Sequence, residues 1–245
     1  MLTSEVAQAV GVHPNTIRLY EAWGFLPPIP RTASGYRQFT EFHVDQMRLA
    51  RLALCSPYPG GDGPVLALVR ASALGHLGEA LEHAYRYLVQ VRAEYAQADT
   101  ALILLERWAK GTPVDATQHH LRIGEVAKLL DISPDLLRDW ERNRLLQVPR
   151  HPHNGYRQYS AKEIGRLRVI RMLRAAGYSL SAVLRLMHHL DQGRSDNLRA
   201  ILDTPPPDED IYYATDRWIS TLKAQEQRAL AVIDALEAML RKYRS

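Results

Sequence analysis

Apolar residues from Leu77 to Ala109 recur at alternating spacings of four and three: Leu77, Leu81, Ala84, Leu88, Val91, Tyr95, Ala98, Leu102, Leu105 and Ala109. Such a heptad seam predicts one long helix over 77–109, and a lone helix with that stripe needs a partner. A second seam runs through Ile219, Leu222, Glu226, Ala229, Ile233, Leu236, Leu240 and Tyr243. It predicts a C-terminal helix over 218–245, with Glu226 as its single polar seam position. Gly111 and Pro113 stop the first helix, and the polar stretch 111–120 reads as a linker. A polar connection over 192–217, containing Pro205, Pro206 and Pro207, leads into the second.

The remaining sequence repeats itself. Thr3-Ser4-Glu5-Val6-Ala7 lies over Ile123-Gly124-Glu125-Val126-Ala127, an offset of 120 that runs without a gap to Thr40 over Ser160. Pro14 meets Pro134, Arg18 meets Arg138, Glu21 meets Glu141, and Leu26 meets Leu146. Gly35-Tyr36-Arg37-Gln38 then meets Gly155-Tyr156-Arg157-Gln158. A match of this length marks an internal duplication.

Each copy predicts a helix, a turn, a second helix and an extended excursion. In the second copy Ile123, Val126, Ala127 and Leu130 fall at helical spacing. Ser133 then serves as N-cap and Pro134 as the first residue of the next helix. His13 and Pro14 do the same in the first copy, with His13 the poorer cap. Two short helices joined in this way form a helix-turn-helix, whose second helix fits a DNA major groove. Pro27, Pro28, Pro30 and Gly35 then forbid further helix, as do Pro149, Pro152 and Gly155. The Asn154-Gly155 turn signal and the alternating Tyr-Arg-Gln-Phe/Tyr run predict a small β-wing with Arg37 or Arg157 at its tip. A third helix starts after Thr40 and Ser160, where Ser160 and Glu163 form a capping box.

The expected fold class is therefore mainly α. Two winged helix-turn-helix domains, over 1–75 and 121–191, are each followed by a long helix, over 76–110 and 218–245. The two long helices are expected to pair as an antiparallel coiled coil.

Composition narrows the function classes. The 245 residues are 46% hydrophobic and 24% charged, ordinary for a globular protein, and contain no apolar run long enough for a membrane span. A cytoplasmic protein is expected. Cys55 is the single cysteine, which excludes an internal disulfide framework and a multi-cysteine zinc site within one chain. No phosphate-cradling glycine loop, nucleophile elbow or metal-ligand helix is present, so neither an enzyme nor a cofactor is expected. The net charge of +4 is unevenly spread: residues 121–175 hold twelve Lys and Arg against six Asp and Glu. This predicts a division of labour, the second copy clamping a phosphate backbone and the first reading sequence.

Both copies resemble the winged helix-turn-helix of MerR-type transcription regulators. The resemblance rests on Glu5-Val6-Ala7, Pro14, Ile17-Arg18, Tyr20-Glu21, Leu26 and Gly35-Tyr36-Arg37, with their counterparts 120 residues on. In the second copy, Gly177-Tyr178-Ser179-Leu180 also resembles the start of the family's fourth helix. The likeness covers residues 2–75 and 121–191. Two features depart from it. Family chains usually carry one such domain and dimerise, and the first copy has Ser56–Gly63 where the second has a short hinge.

The resemblance implies double-stranded promoter DNA as partner, an imperfect inverted repeat as operator, and bending or untwisting of that DNA. It also implies RNA polymerase as a further partner and a place at the nucleoid. Because one chain holds two domains, it is expected to imitate a dimer by itself, with a true homodimer as the competing arrangement. Small-molecule effectors are left open. An apolar ligand would lodge among Tyr85, Tyr87, Trp108, Tyr212, Tyr213 and Trp218, although seam and core packing is the simpler account of these aromatics. The competing function is a helical adaptor that binds protein through its seams and keeps vestigial winged domains.

The DNA-binding candidates follow from this frame. Arg18 and Arg138 sit in the second helices, where the family pattern faces them to DNA. His13, Asn15 and Thr16 in the first copy, with Ser133 and Asp135 in the second, occupy the helix starts that approach bases, and Tyr20 lies one turn further on. Arg37 and Arg157 are the wing cations, with Tyr36 and Tyr156 beside them. Glu21 and Glu141 read as structural, since an acid facing DNA would repel it.

Overall fold

The computed structural model describes residues 1–111, 120–204 and 214–243, with only the backbone of 214 and 215. Most of the expected linker, part of the polar connection, and Tyr212 and Tyr213 lie outside the described residues. The protein is mainly helical. In chain order the helices are α1 (Thr3–Val10), α2 (Pro14–Ala22), α3 (Glu41–Ala53), α4 (Gly63–Ala73), α5 (Leu77–Ala109), α6 (Ile123–Leu130), α7 (Pro134–Arg142), α8 (Ala161–Ala175), α9 (Leu180–Asp191), α10 (Leu198–Asp203) and α11 (Trp218–Lys242). Among the described residues, no helix is long and apolar enough to cross a membrane.

The chain divides into two compact units. Unit 1 comprises Met1–Ala93 together with the chain from Leu222, and unit 2 comprises Glu94–Thr221. Each unit holds one copy of the repeat, and the division runs through both long helices. The front of α5 stays with the first copy and its rear belongs with the second, while most of α11 belongs with the first.

Within unit 1, α1, α2 and α3 close over Val6, Val10, Ile17, Leu26, Ile29, Phe39, Val44 and Met47, all buried. Unit 2 fills the same places with Val126, Leu130, Leu137, Leu146, Val148, Tyr159, Ile164 and Leu167, again all buried. Helix ends are satisfied by the same devices in both. The carboxylate of Glu5 accepts the Leu2 N–H at 2.7 Å, and that of Glu125 accepts the Arg122 N–H at 2.6 Å. Ser133 Oγ accepts the Leu136 N–H at 3.1 Å, whereas His13 caps α2 through Nδ1 on the Asn15 N–H at 3.2 Å. The third helices start from Thr40 with His43 and from Ser160 with Glu163, each pair bonding reciprocally.

The long helices complete each unit differently. In unit 1, Arg92 Nε donates to Glu226 at 2.7 Å, Tyr87 Oη to Gln225 at 3.2 Å, and Tyr85 Oη to Glu237 at 3.4 Å. Three side chains from the front of α5 are thus bonded to α11 within unit 1. The end of α11 clasps α3: Lys242 Nζ lies 2.9 Å from Asp45, Tyr243 Oη donates to the same carboxylate at 2.8 Å, and the Tyr243 and Phe42 rings stand 4.7 Å apart. Burial opposes the charge on Asp45, but these two hydrogen bonds and the nearby cations outweigh it and hold the carboxyl below its ordinary range. The buried polar position on α11 is Gln225 rather than the seam's Glu226, because the covered face is wider than two positions per heptad.

In unit 2 the rear of α5 lies against the second copy. Tyr178 Oη donates to Ala98 O at 3.4 Å, and Arg199 on α10 donates to Asp99 and Glu106, both at 2.8 Å. Trp218 Nε1 donates to Ala176 O at 2.8 Å across the α8–α9 hinge. Gly177, at φ +93°, is required there: a Cβ would stand 2.6 Å from Trp218 Nε1. The first copy replaces this hinge with the Ser56–Gly63 loop, whose Pro59 carbonyl accepts from Gln90 on α5 at 2.6 Å and whose Gly60, at φ +71°, lies against the Gln90 side chain. Cys55 is exposed, and its carbonyl accepts from Arg228 of α11 at 2.7 Å. Of the aromatics proposed to lodge a ligand, Tyr87 and Trp218 are buried with their polar atoms bonded as above, and Tyr85 is exposed.

Candidate nucleic-acid interface

Behind each helix-turn-helix, a wing folds back on the base of the recognition helix. In the first copy the wing narrows to one antiparallel bridge, Arg31 to Arg37, flanked by Thr32 N–H to Tyr36 O at 2.8 Å and Gln38 N–H to Pro30 O at 2.8 Å. In the second the bridge joins Arg150 to Arg157, with Gln158 N–H to Pro149 O at 2.8 Å. Neither wing is a strand ladder. The prolines on the outgoing arm supply carbonyls but no N–H, so pairing stops after one bridge.

These bridges correct the gap-free alignment. At an offset of 120 Arg157 would face His151, but its partner is Arg150. Arg31 donates to Gly35 O at 3.1 Å, and Arg150, not His151, repeats that bond to Gly155 O at 3.3 Å. The outgoing arms thus match at an offset of 119, buried Ile29 corresponding to buried Val148, and the second wing tip holds one more residue. Arg31 and Arg150 are wing cations that the sequence reading missed. The signal was the proline before each of them, hidden by the refusal of a gap.

Arg37 and Arg157 stand at the base of the wing rather than its tip. Arg37 Nε donates to Glu21 at 2.7 Å and Arg157 Nε to Glu141 at 2.5 Å, with the arginine side chains 21% and 26% exposed. Glu21 also accepts the Ile29 N–H at 3.0 Å, and Arg150 approaches Glu141 at 3.9 Å. Each glutamate on a recognition helix therefore ties the wing to that helix. The tips carry Tyr36 and Tyr156, 66% and 64% exposed, and the Arg122 guanidinium lies 5.9 Å over the Tyr156 ring.

The remaining candidates lie along the outward faces of α2 and α7. Asn15 and Arg18 are exposed, Arg18 donating to the Asn15 amide oxygen at 3.3 Å, and Thr16 is half-buried beside them. His13 and Ser133 are exposed but occupied as caps. Arg138 is exposed and held by Asp135 one turn before it. Tyr20 is half-buried against the first core, its ring 5.7 Å from Phe25 and 6.3 Å from Trp23, and burial pushes its phenol up. The matched Trp140 is buried. Among the described residues, no three His, Cys, Asp or Glu side chains converge on a metal position.

Two helix-turn-helix units, each with a wing fastened to its recognition helix by a Glu–Arg pair, define a winged helix-turn-helix protein. Residues 3–39 match the model of the MerR family regulatory proteins and residues 121–190 that of the MerR HTH family regulatory proteins. The chain thus carries two tandem domains of the MerR family. It is 33% identical over 66 residues to the HTH-type transcriptional regulator ZntR of Escherichia coli strain K12, covering 27% of this chain and 47% of that one. It is 32% identical over 85 residues to the HTH-type transcriptional regulator CueR of Yersinia pestis, covering 34% and 61%. It is 31% identical over 71 residues to the mercuric resistance operon regulatory protein of Bacillus cereus, covering 29% and 54%. The chain spans about half the length of such relatives. No solved structure matches it.

Proposed function

We propose that this chain is a double-stranded DNA-binding transcription regulator in which two MerR-type domains of one polypeptide do the work of a two-subunit dimer. The observation that carries the reading is the doubled Glu–Arg fastening. Each copy fixes its wing against its recognition helix, which sets two cationic elements at a constant separation for one stretch of duplex. A helical adaptor has no use for two such fastenings. The mutual exchange of long-helix segments between the copies, with Tyr85, Tyr87 and Arg92 of α5 bonded to α11 in unit 1, supports a coiled-coil pairing inside one chain. The regulator names of the relatives support a promoter operator as the target.

On this reading the operator is an imperfect inverted repeat. Binding bends or untwists it, and promoter-bound RNA polymerase reads the altered duplex. Two measurements test the proposal. Binding of the full chain to duplex DNA, followed across salt concentrations, is expected to give a straight log–log line with a slope of several phosphate contacts. A flat, weak response removes the DNA-binding reading. Light scattering at micromolar protein is expected to return the mass of one chain, and twice that mass overturns the single-chain arrangement.

A further inference from the structure

The two recognition helices share a backbone and differ in what they offer a groove. On α2 the outward positions are Asn15, Thr16, Arg18 and Leu19, followed one turn later by Trp23. Leu19 is 46% exposed, and Arg18 is held by a neutral amide, so its full charge is available to a phosphate. On α7 the matched positions are Asp135, Leu136, Arg138 and Asp139, followed by Arg142. Here the cations are paired along the helix, Arg138 with Asp135 and Arg142 with Asp139.

These differences have a base-reading meaning. A carboxylate one turn before an arginine fixes the guanidinium by one edge and leaves its other N–H groups facing outward. That fork matches the N7 and O6 acceptors of guanine, and an exposed carboxylate oxygen accepts from the cytosine N4 amino group. The Asp135 side chain is 85% exposed, free to do so. Acids on a DNA-facing helix also weaken phosphate binding, a cost that base reading offsets. On α2 the chemistry is the opposite: an asparagine amide fits adenine N6 and N7, and the Leu19 side chain and Thr16 methyl suit the thymine methyl group.

Resting on the DNA-binding reading above, we propose that the two domains read sites of opposite base composition, in place of the clamp-and-reader division that the charge count predicts. The α2 site is A·T at its contacted positions, selected by Asn15, Thr16 and Leu19. The α7 site is G·C, selected by the Asp135–Arg138 and Asp139–Arg142 pairs. The operator is an inverted repeat only in outline, its two halves differing where the helices touch bases.

The test is selection of bound duplexes from a random pool by the full chain. Two enriched blocks are expected, one A·T and one G·C. The D135N/D139N double variant is expected to lose the G·C preference by about tenfold, the discrimination of one good bidentate contact, and to leave the A·T block unchanged. It is also expected to bind random duplex more tightly, since two negative charges leave the surface. N15A is expected to relax the A·T block alone. Two blocks of the same composition, or an unchanged G·C block in the aspartate variant, overturn the inference. Salt-dependent retention without any enrichment also overturns it, whereas loss of retention itself condemns the DNA-binding reading instead.

Discussion

The first and second winged domains agree across the buried frame and differ most along the outward faces of α2 and α7. Ile17 and Leu137, Val6 and Val126, and Met47 and Leu167 occupy matched buried places. Glu21–Arg37 and Glu141–Arg157 are the same fastening. Yet Leu19 stands opposite Asp139, and Trp23, 55% exposed, opposite Asn143. Packing tolerates little change of volume, because a cavity or an overlap costs kilocalories, while an exposed side chain is nearly neutral to folding. The difference teaches that duplication here conserved the packed frame and varied the exposed faces of its second helices.

The comparison can be broken in several ways. The largest effect is expected in the shared core: I17A and L137A should each destabilise their domain by about 2–5 kcal/mol in denaturant unfolding. Similar losses confirm a common frame, and a loss in one domain alone separates them. Next come the fastenings. E21Q and E141Q leave a partly buried arginine with a weaker partner, and about 1–2 kcal/mol of stability is expected to go, less than for a fully buried pair. R157A should weaken binding to every duplex and lower the salt slope by about one, and an unchanged slope excludes Arg157 as a phosphate contact.

The smallest effect concerns acid. The Arg166 guanidinium, bonded to Asp191 in unit 2, holds that carboxyl below its ordinary range, and Asp45 is held low in unit 1. A depressed folded value stabilises above the unfolded value of 3.8 and is lost as pH falls through the folded one. D45N and D191N should therefore melt below the wild type at pH 7 and approach it as pH drops beneath that value.

Much of this frame was legible in the chain. The span 77–109 declared itself through ten seam residues, because one unbroken period over nine turns admits no other element. The caps at Ser133 and Ser160 were legible because they are local in sequence. The wing was harder to read. Glu21 and Arg37 are sixteen residues apart on different elements, and no periodicity joins them. Arg31 and Arg150 disappeared behind an alignment that allowed no gap, although a shift of one residue costs a loop almost nothing. The requirement for Gly177 depends on Trp218, which reaches it from another element and cannot be inferred from the hinge itself.

The separate encoding of α2 and α7 has a last consequence. In a symmetric assembly of identical subunits, one codon change alters both contacts at once, so an operator must mutate in two places to follow it. Here Leu19 can change while Asp139 does not. On the single-chain reading proposed above, such a chain drifts toward a new promoter one half at a time, keeping a working grip through the half left unaltered.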